Sequence, residues 1–261
     1  MPTRDNPWPQ GTPCWVDCSV DDPGAARDFY ARLLGWDVLD SPPEAGGYLM
    51  AMIDGRPAAG IGPKMGDMPM PSVWTTYFAA DDADAVAAAV QAAGGTVFVP
   101  PFDVMDVGRM FVAADPAGGV FGVWEAKSHT GAGIFNETGA YCWNDLHTTA
   151  YAPSQEFYRQ VFGWGFDEIG GGGMVYSTFN DPDGRPMGGF ADTTGQPGSD
   201  MPYWLTWFQV SGTDDALARA TELGAKVLMG PDDSPFGRMG VVAGPQGEVF
   251  GLIDTNVTIG G

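Results

Sequence analysis

At 261 residues, with 44% hydrophobic and 17% charged side chains, the chain can build one large or two ordinary globular domains and is too apolar to be disordered. Its 33 acidic residues outnumber 12 basic ones for a net charge of −21, a field that repels nucleic-acid phosphates and anionic membrane surfaces. Three cysteines make no disulfide framework, since Cys14 and Cys18 on one strand stand about 13 Å apart, and two histidines make no structural zinc site.

In chain order, residues 1–10 are polar and lack the apolar segment of a secretion signal, and no apolar run approaches the roughly 20 residues that span a bilayer, so a cytoplasmic protein is expected. A strand over 15–20 leads into a helix over 23–34, capped by Asp22 and stopped by Gly35. Within it Ala26, Phe29, Tyr30, Leu33 and Leu34 recur at helical spacing, which marks a packing face. Short strands over 48–53 and 58–61 flank the turn Asp54-Gly55. A second unit opens with a strand over 74–79 and a helix over 83–93 stopped by Gly94-Gly95, and closes with strands over 96–99, 110–113 and 120–124. A glycine-rich stretch over 127–139 follows, and 141–254 then runs likewise. Gly170 to Gly173 reads as a turn between strands rather than a phosphate loop, because no helix follows it.

The second half repeats the first. Asp28-Phe29-Tyr30 with Leu34-Gly35-Trp36 returns as Glu156-Phe157-Tyr158 with Phe162-Gly163-Trp164. Gly55-Arg56-Pro57 returns as Gly184-Arg185-Pro186, and Gly108-Arg109-Met110 as Gly237-Arg238-Met239. Each half itself splits into two units of strand, helix and three strands. The expected fold is therefore α+β, a tandem of domains over 12–126 and 139–255 joined by a linker over 127–138. Each domain is expected to be one curled mixed sheet of two βαβββ modules, with helices on one face and a cavity on the other.

These motifs, together with Asp115-Pro116-Ala117-Gly118, resemble the vicinal oxygen chelate superfamily of glyoxalases, bleomycin-resistance proteins and extradiol dioxygenases over nearly the whole chain. Trp15-Val16-Asp17 and Trp143-Asn144-Asp145-Leu146-His147 resemble more narrowly a two-domain actinobacterial branch of antigen- or hydroxylase-like members. The resemblance implies a divalent metal held by His, Gln or Glu from four strands of each cavity. Carried over, those positions fall on Trp15, Thr75 and Gly122 in the first copy and on Trp143, Leu205 and Gly251 in the second, with the fourth near Gly60 and Gly189. Side chains of these types form no divalent site, so no metal and no other cofactor is expected, and metal-dependent chemistry falls with it.

Strand alternation places Trp15 and Asp17 on the cavity face, with Val16, Cys18 and Val20 toward the helices. Thr75, Tyr77 and Trp124 are assigned to the same cavity, and Trp143, Asp145, His147, Leu205 and Trp207 to its counterpart. Asp17, Tyr77, Asp145 and His147 are the candidate catalytic groups; Trp15, Thr75, Trp124, Trp143, Leu205 and Trp207 are the candidate ligand wall. For Asp17 the competing role is an ion pair with Arg109, and for His147 a solvent position at the strand end; His129 is expected in solvent on the linker. The tryptophans either stack on a planar ligand or fill the sheet interior. Two functions fit: a metal-independent isomerase, lyase or cyclase acting on an apolar or aromatic metabolite, or a protein that captures such a molecule unchanged. The partner expected is a small molecule, bound by a monomer or homodimer.

Overall fold

The computed structural model describes residues 2–64, 70–169, 175–196 and 201–257. The first half runs β1 (Pro13–Val20), α1 (Pro23–Leu34), β2 (Asp37–Asp40), β3 (Leu49–Ile53), β4 (Arg56–Pro63), β5 (Val73–Ala80), α2 (Ala83–Ala92), β6 (Thr96–Val104), β7 (Gly108–Ala114) and β8 (Val120–Ala126). The second half repeats it as β9 (Tyr141–Thr148), α3 (Tyr151–Phe162), β10 (Gly165–Glu168), β11 (Tyr176–Asn180), β12 (Pro186–Asp192), β13 (Tyr203–Gln209), α4 (Thr213–Glu222), β14 (Lys226–Ser234), β15 (Gly237–Ala243) and β16 (Val249–Asp254). The sheets have matching orders, β2-β3-β4-β1-β5-β8-β7-β6 and β10-β11-β12-β9-β13-β16-β15-β14. Two βαβββ modules thus share each eight-stranded mixed sheet, as the repeat implied. The short edge strands β2 and β10 carry mostly exposed, acidic sequences, Asp-Val-Leu-Asp and Gly-Phe-Asp-Glu, and lack the apolar alternation by which the other strands are read. Gly170 to Gly173 lies outside the described residues.

The helix starts follow from capping chemistry. Asp22 accepts the N–H of Ala25 at the start of α1, and Asp82 accepts that of Ala85 at the start of α2, each filling an otherwise unpaired first-turn donor. Gly35 and Gly163 end α1 and α3 at φ +76° and +74°, a left-handed conformation that glycine adopts without Cβ strain.

The helix-bearing faces of the two sheets meet, and the two halves share their core. Phe29 and Tyr30 of α1 pack on Phe250 of the second domain at 6.3 and 5.5 Å between centroids. Reciprocally, Phe157 and Tyr158 of α3 pack on Phe121 of the first domain at 6.2 and 5.5 Å. The indole of Trp36 donates to the Gly139 carbonyl at the entrance of the second domain at 2.7 Å, and that of Trp164 donates to the Gly11 carbonyl at the entrance of the first at 2.9 Å. Val16, Cys18 and Val20 are fully buried on this side, as alternation requires, which leaves the opposite, concave faces turned outward. All three cysteines are free thiols. Among the described residues no helix is long and apolar enough to cross a membrane.

Candidate functional site

On the first concave face Asp17 lies at the sheet centre, paired across β4 to Gly60 and across β5 to Thr75, with Trp15 facing Tyr77 in the adjoining row. The Trp15 indole donates to the Tyr48 hydroxyl at 2.9 Å, and Tyr48 and Tyr77 both donate to Asp17 Oδ2, at 3.3 and 3.1 Å. Asp17 Oδ1 is enclosed and has no donor. Loss of water around this carboxyl raises its pKa to about 7, against the smaller opposing pull of the two tyrosine hydrogen bonds. Arg109 does not reach it: the guanidinium is held by Asp84 of α2 at 2.8 Å and by Asp103 of β6 at 3.5 Å, on the helix-bearing side of the sheet. The expected Asp17–Arg109 ion pair is therefore corrected to a carboxyl whose neighbours are neutral hydroxyls.

His129 also departs from expectation. The linker folds back beneath the sheet, so its ring sits edge-on to Trp15 at 4.6 Å and to Trp124 at 5.4 Å, while the Trp124 indole donates to the His129 carbonyl at 2.9 Å. Burial lowers this imidazole to about pKa 4, so it is neutral, and its Nε2 has no partner. A lone linker histidine carries no sequence signal for such a position, because the fold-back depends on contacts of the N-terminal segment such as Trp8 on Phe135, 4.8 Å apart.

The second concave face repeats the arrangement. The Trp143 indole donates to the Tyr176 hydroxyl at 2.9 Å, Tyr176 donates to Asp145 Oδ1 at 2.6 Å, and the Trp207 indole donates to Asp145 Oδ2 at 2.8 Å. Leu205 pairs with Asp145 across β13 and is 1% exposed, packed beside Trp207. Asp145 thus bonds Tyr176 and Trp207 rather than His147. The His147 ring is half-buried, stacked on Tyr203 at 4.9 Å and 11°, with Nε2 enclosed and without a partner, which replaces the expected solvent position. Burial raises the Asp145 pKa and lowers that of His147, while their mutual attraction opposes both shifts.

Tyr48 and Tyr176 were not singled out from the sequence, although the repeat holds their signal: each stands two residues before the partner of Gly60 or Gly189 in the sheet. They explain those glycines. A Cβ on Gly60 would lie 1.7 Å from the Tyr48 hydroxyl, and one on Gly189 would lie 1.9 Å from that of Tyr176. Gly122 and Gly251 likewise leave room for the rings of Tyr77 and Trp207, 2.2 and 2.1 Å from an added Cβ. At two of the four positions in each sheet where the resemblance would put metal donors, the chain puts glycines covered by aromatic rings, and among the described residues no group of three His, Cys, Asp or Glu side chains is gathered that could hold an ion. The family's metal does not fit these residues. Gly60→Ala is expected to displace Tyr48, break its bond to Asp17 and cost about 1–3 kcal/mol, read as a lowered denaturant midpoint.

The profile of the Glyoxalase/Bleomycin resistance protein/Dioxygenase superfamily matches residues 15–122 and 145–252, one match per sheet. The chain is 38% identical over 260 residues to CFP32 of Mycobacterium bovis, named as a candidate glyoxylase, covering 97% of this chain and 98% of that one. It is 35% identical over 258 residues to the anthracycline biosynthesis protein DnrV of Streptomyces peucetius, covering 94% and 93%. In structure it is similar to the Mn(II)-bound glyoxalase of Novosphingobium aromaticivorans, with a TM-score of 0.64 at 18% identity over 95% of this chain and 86% of that one. With both halves matched and relatives aligned end to end, the chain belongs to the Glyoxalase/Bleomycin resistance protein/Dioxygenase superfamily.

Proposed function

We propose that the protein is a metal-independent enzyme of the isomerase, lyase or cyclase type that takes an apolar or aromatic small molecule on the concave face of a sheet. The observation that carries this reading is Asp17: a carboxyl titrating near neutrality, walled by Trp15, Tyr48 and Tyr77, with one oxygen left without a donor. Such a group exists in both protonation states near pH 7 and can take a proton from one atom of a ligand and return it to another. Isomerisation, elimination and ring closure require only that, with no net oxidation. Tyr48 and Tyr77 hold the carboxyl, Thr75 offers a hydroxyl beside it, and Trp15 and Trp124 supply aromatic surface. His129 adds a neutral imidazole below. Each sheet is complete within one chain, which suits a monomer or a homodimer.

A relative named for anthracycline biosynthesis makes hydroxylated polycyclic quinones the first compounds to test. Binding is followed by tryptophan fluorescence and conversion by chromatography with mass analysis. Saturable quenching with a new product, retained in EDTA and lost in Asp17→Asn while quenching persists, is the expected result. Bound compound released unchanged would turn the reading to capture. Stoichiometric metal whose removal abolishes conversion would overturn metal independence.

A further inference from the structure

The two concave faces carry the same Trp–Tyr–Asp chain, yet they treat the carboxylate differently. Tyr77 faces Trp15 across β1 and β5, and Trp207 faces Trp143 across β9 and β13, so residues 77 and 207 occupy one equivalent position. Each ring lies over a glycine, Gly122 or Gly251, which leaves space for either type. The hydroxyl of Tyr77 converges with that of Tyr48 on the same oxygen of Asp17, at 3.1 and 3.3 Å, and the other oxygen goes without. The indole of Trp207 instead reaches the oxygen of Asp145 that Tyr176 does not, and the two bonds are short, 2.8 and 2.6 Å. One substitution between the repeats thus separates a carboxylate with an unbonded oxygen from one with both oxygens bonded.

We propose that this position decides which domain keeps a working carboxylate: Tyr77 leaves an oxygen of Asp17 without a hydrogen bond and able to take a proton, whereas Trp207 ties off Asp145 and makes the C-terminal sheet a structural copy. Residues 77 and 207 are positioning residues that act through the aspartates. Assigning the proton-moving work to the N-terminal domain rests on the role proposed for Asp17, whereas the difference in closure does not. The titratable groups facing Asp17 are Tyr48 and Tyr77, with Cys18 on the far side of β1. Those facing Asp145 are Tyr176, His147, Cys142 and Tyr203. Burial keeps these tyrosines and thiols protonated through neutrality, so none of them adds a charge beside either carboxylate there.

The test is a titration of the aspartate side-chain carbons by NMR in the full chain, with Asp17→Asn and Asp145→Asn to assign the signals. A hydrogen bond to a carboxylate stabilises its charged form, so each donor gained or lost moves the midpoint. Trp207→Phe, which keeps a ring over Gly251 but loses the N–H, is expected to raise the Asp145 midpoint by about one pH unit, and Tyr77→Trp, which exchanges the 3.1 Å hydroxyl bond for an indole bond of the 2.8 Å kind made to Asp145, to lower that of Asp17 by a smaller amount. On a converted compound, Tyr77→Trp is expected to cut turnover about tenfold and shift its pH profile. An unmoved Asp145 midpoint in folded Trp207→Phe overturns the proposal, as does an unmoved Asp17 midpoint in Tyr77→Trp. Should Tyr77→Trp fail to fold, Trp207→Phe decides alone. Midpoints that move as expected while neither variant alters turnover leave the closure standing and remove the catalytic role of Asp17.

Discussion

Trp164→Ala is expected to cost about 3–5 kcal/mol and to weaken both domains together, since a large buried aromatic is lost along with its packing. Trp164 is 2% exposed and stacks on Phe179 at 4.1 Å, with Tyr158 and Phe162 at 5.0 and 5.1 Å. These contacts belong to its own domain, but Phe78 of the first domain meets its ring at 5.0 Å, and its indole N–H is spent on the Gly11 carbonyl there. Truncation therefore opens a cavity at the joint and strands a buried acceptor. Trp36→Ala should behave alike through Gly139 and Phe208, the latter 5.7 Å away. For a chain of this size the drop in Tm is on the order of 10 °C. Thermal or denaturant unfolding watched by both near-UV and far-UV circular dichroism should show one transition in each variant. Two separated transitions, one at the wild-type midpoint, would show that the shared core does not couple the halves.

The reason the fold was legible while parts of the site were not lies in how each is encoded. The repeated helix-to-tryptophan segments and the glycine stops are local signals, and strand alternation correctly puts Trp15, Asp17, Thr75 and Tyr77 on one face and Val16 and Cys18 on the other. Alternation does not say which hydroxyl reaches a carboxylate. Tyr48 comes to Asp17 from the residue just before β3, two strands away, through the parallel pairing of β4 with β1. Arg109 is near Asp17 in no local sense either; its neighbours come from α2 and β6. Compensation between distant positions is likewise silent in a single chain. Asp115 accepts the N–H groups of Ala117, Gly118 and Gly119 and the Ser154 hydroxyl at the joint, whereas its counterpart in the repeat is Gly244. There Glu248 supplies the carboxylate instead, accepting from Tyr30 at 3.0 Å and lying where a Gly244 Cβ would stand. The repeat conserves a buried carboxylate at each joint and delivers it from opposite ends of one turn.

Asp17→Asn is expected to stabilise the protein at pH 8 and to do nothing of the kind at pH 4. In the unfolded chain this carboxyl titrates near 3.8 and in the folded one at about 7, so folding favours the protonated form. Its contribution is fully present below the unfolded value, declines as the pH climbs toward 7, and is lost beyond. The slope is about 1.4 kcal/mol per pH unit at most, reduced here because Asp17 keeps part of its surface in contact with solvent, which leaves a total on the order of a few kcal/mol. His129 acts in the opposite sense. Its pKa falls from 6.5 to about 4 on burial, so the stability that it contributes is present above 6.5 and lost as the pH drops through the folded value. Between these limits the wild-type slopes from the two groups oppose each other. Asparagine keeps the shape and removes only the first, so the excess of the variant's denaturant midpoint over wild type should grow from pH 4 up to about pH 7 and then level off. Asp145, Asp115 and Glu248 also titrate high, but they are common to both proteins and cancel in the difference. A difference that stays constant from pH 4 to 8 would mean that Asp17 titrates in the folded protein as it does in the unfolded chain, and with it would go the ground for a carboxyl that exchanges protons near neutrality. A stabilised variant that still binds a ligand and no longer converts it is the pattern of a group kept for chemistry at a cost in stability.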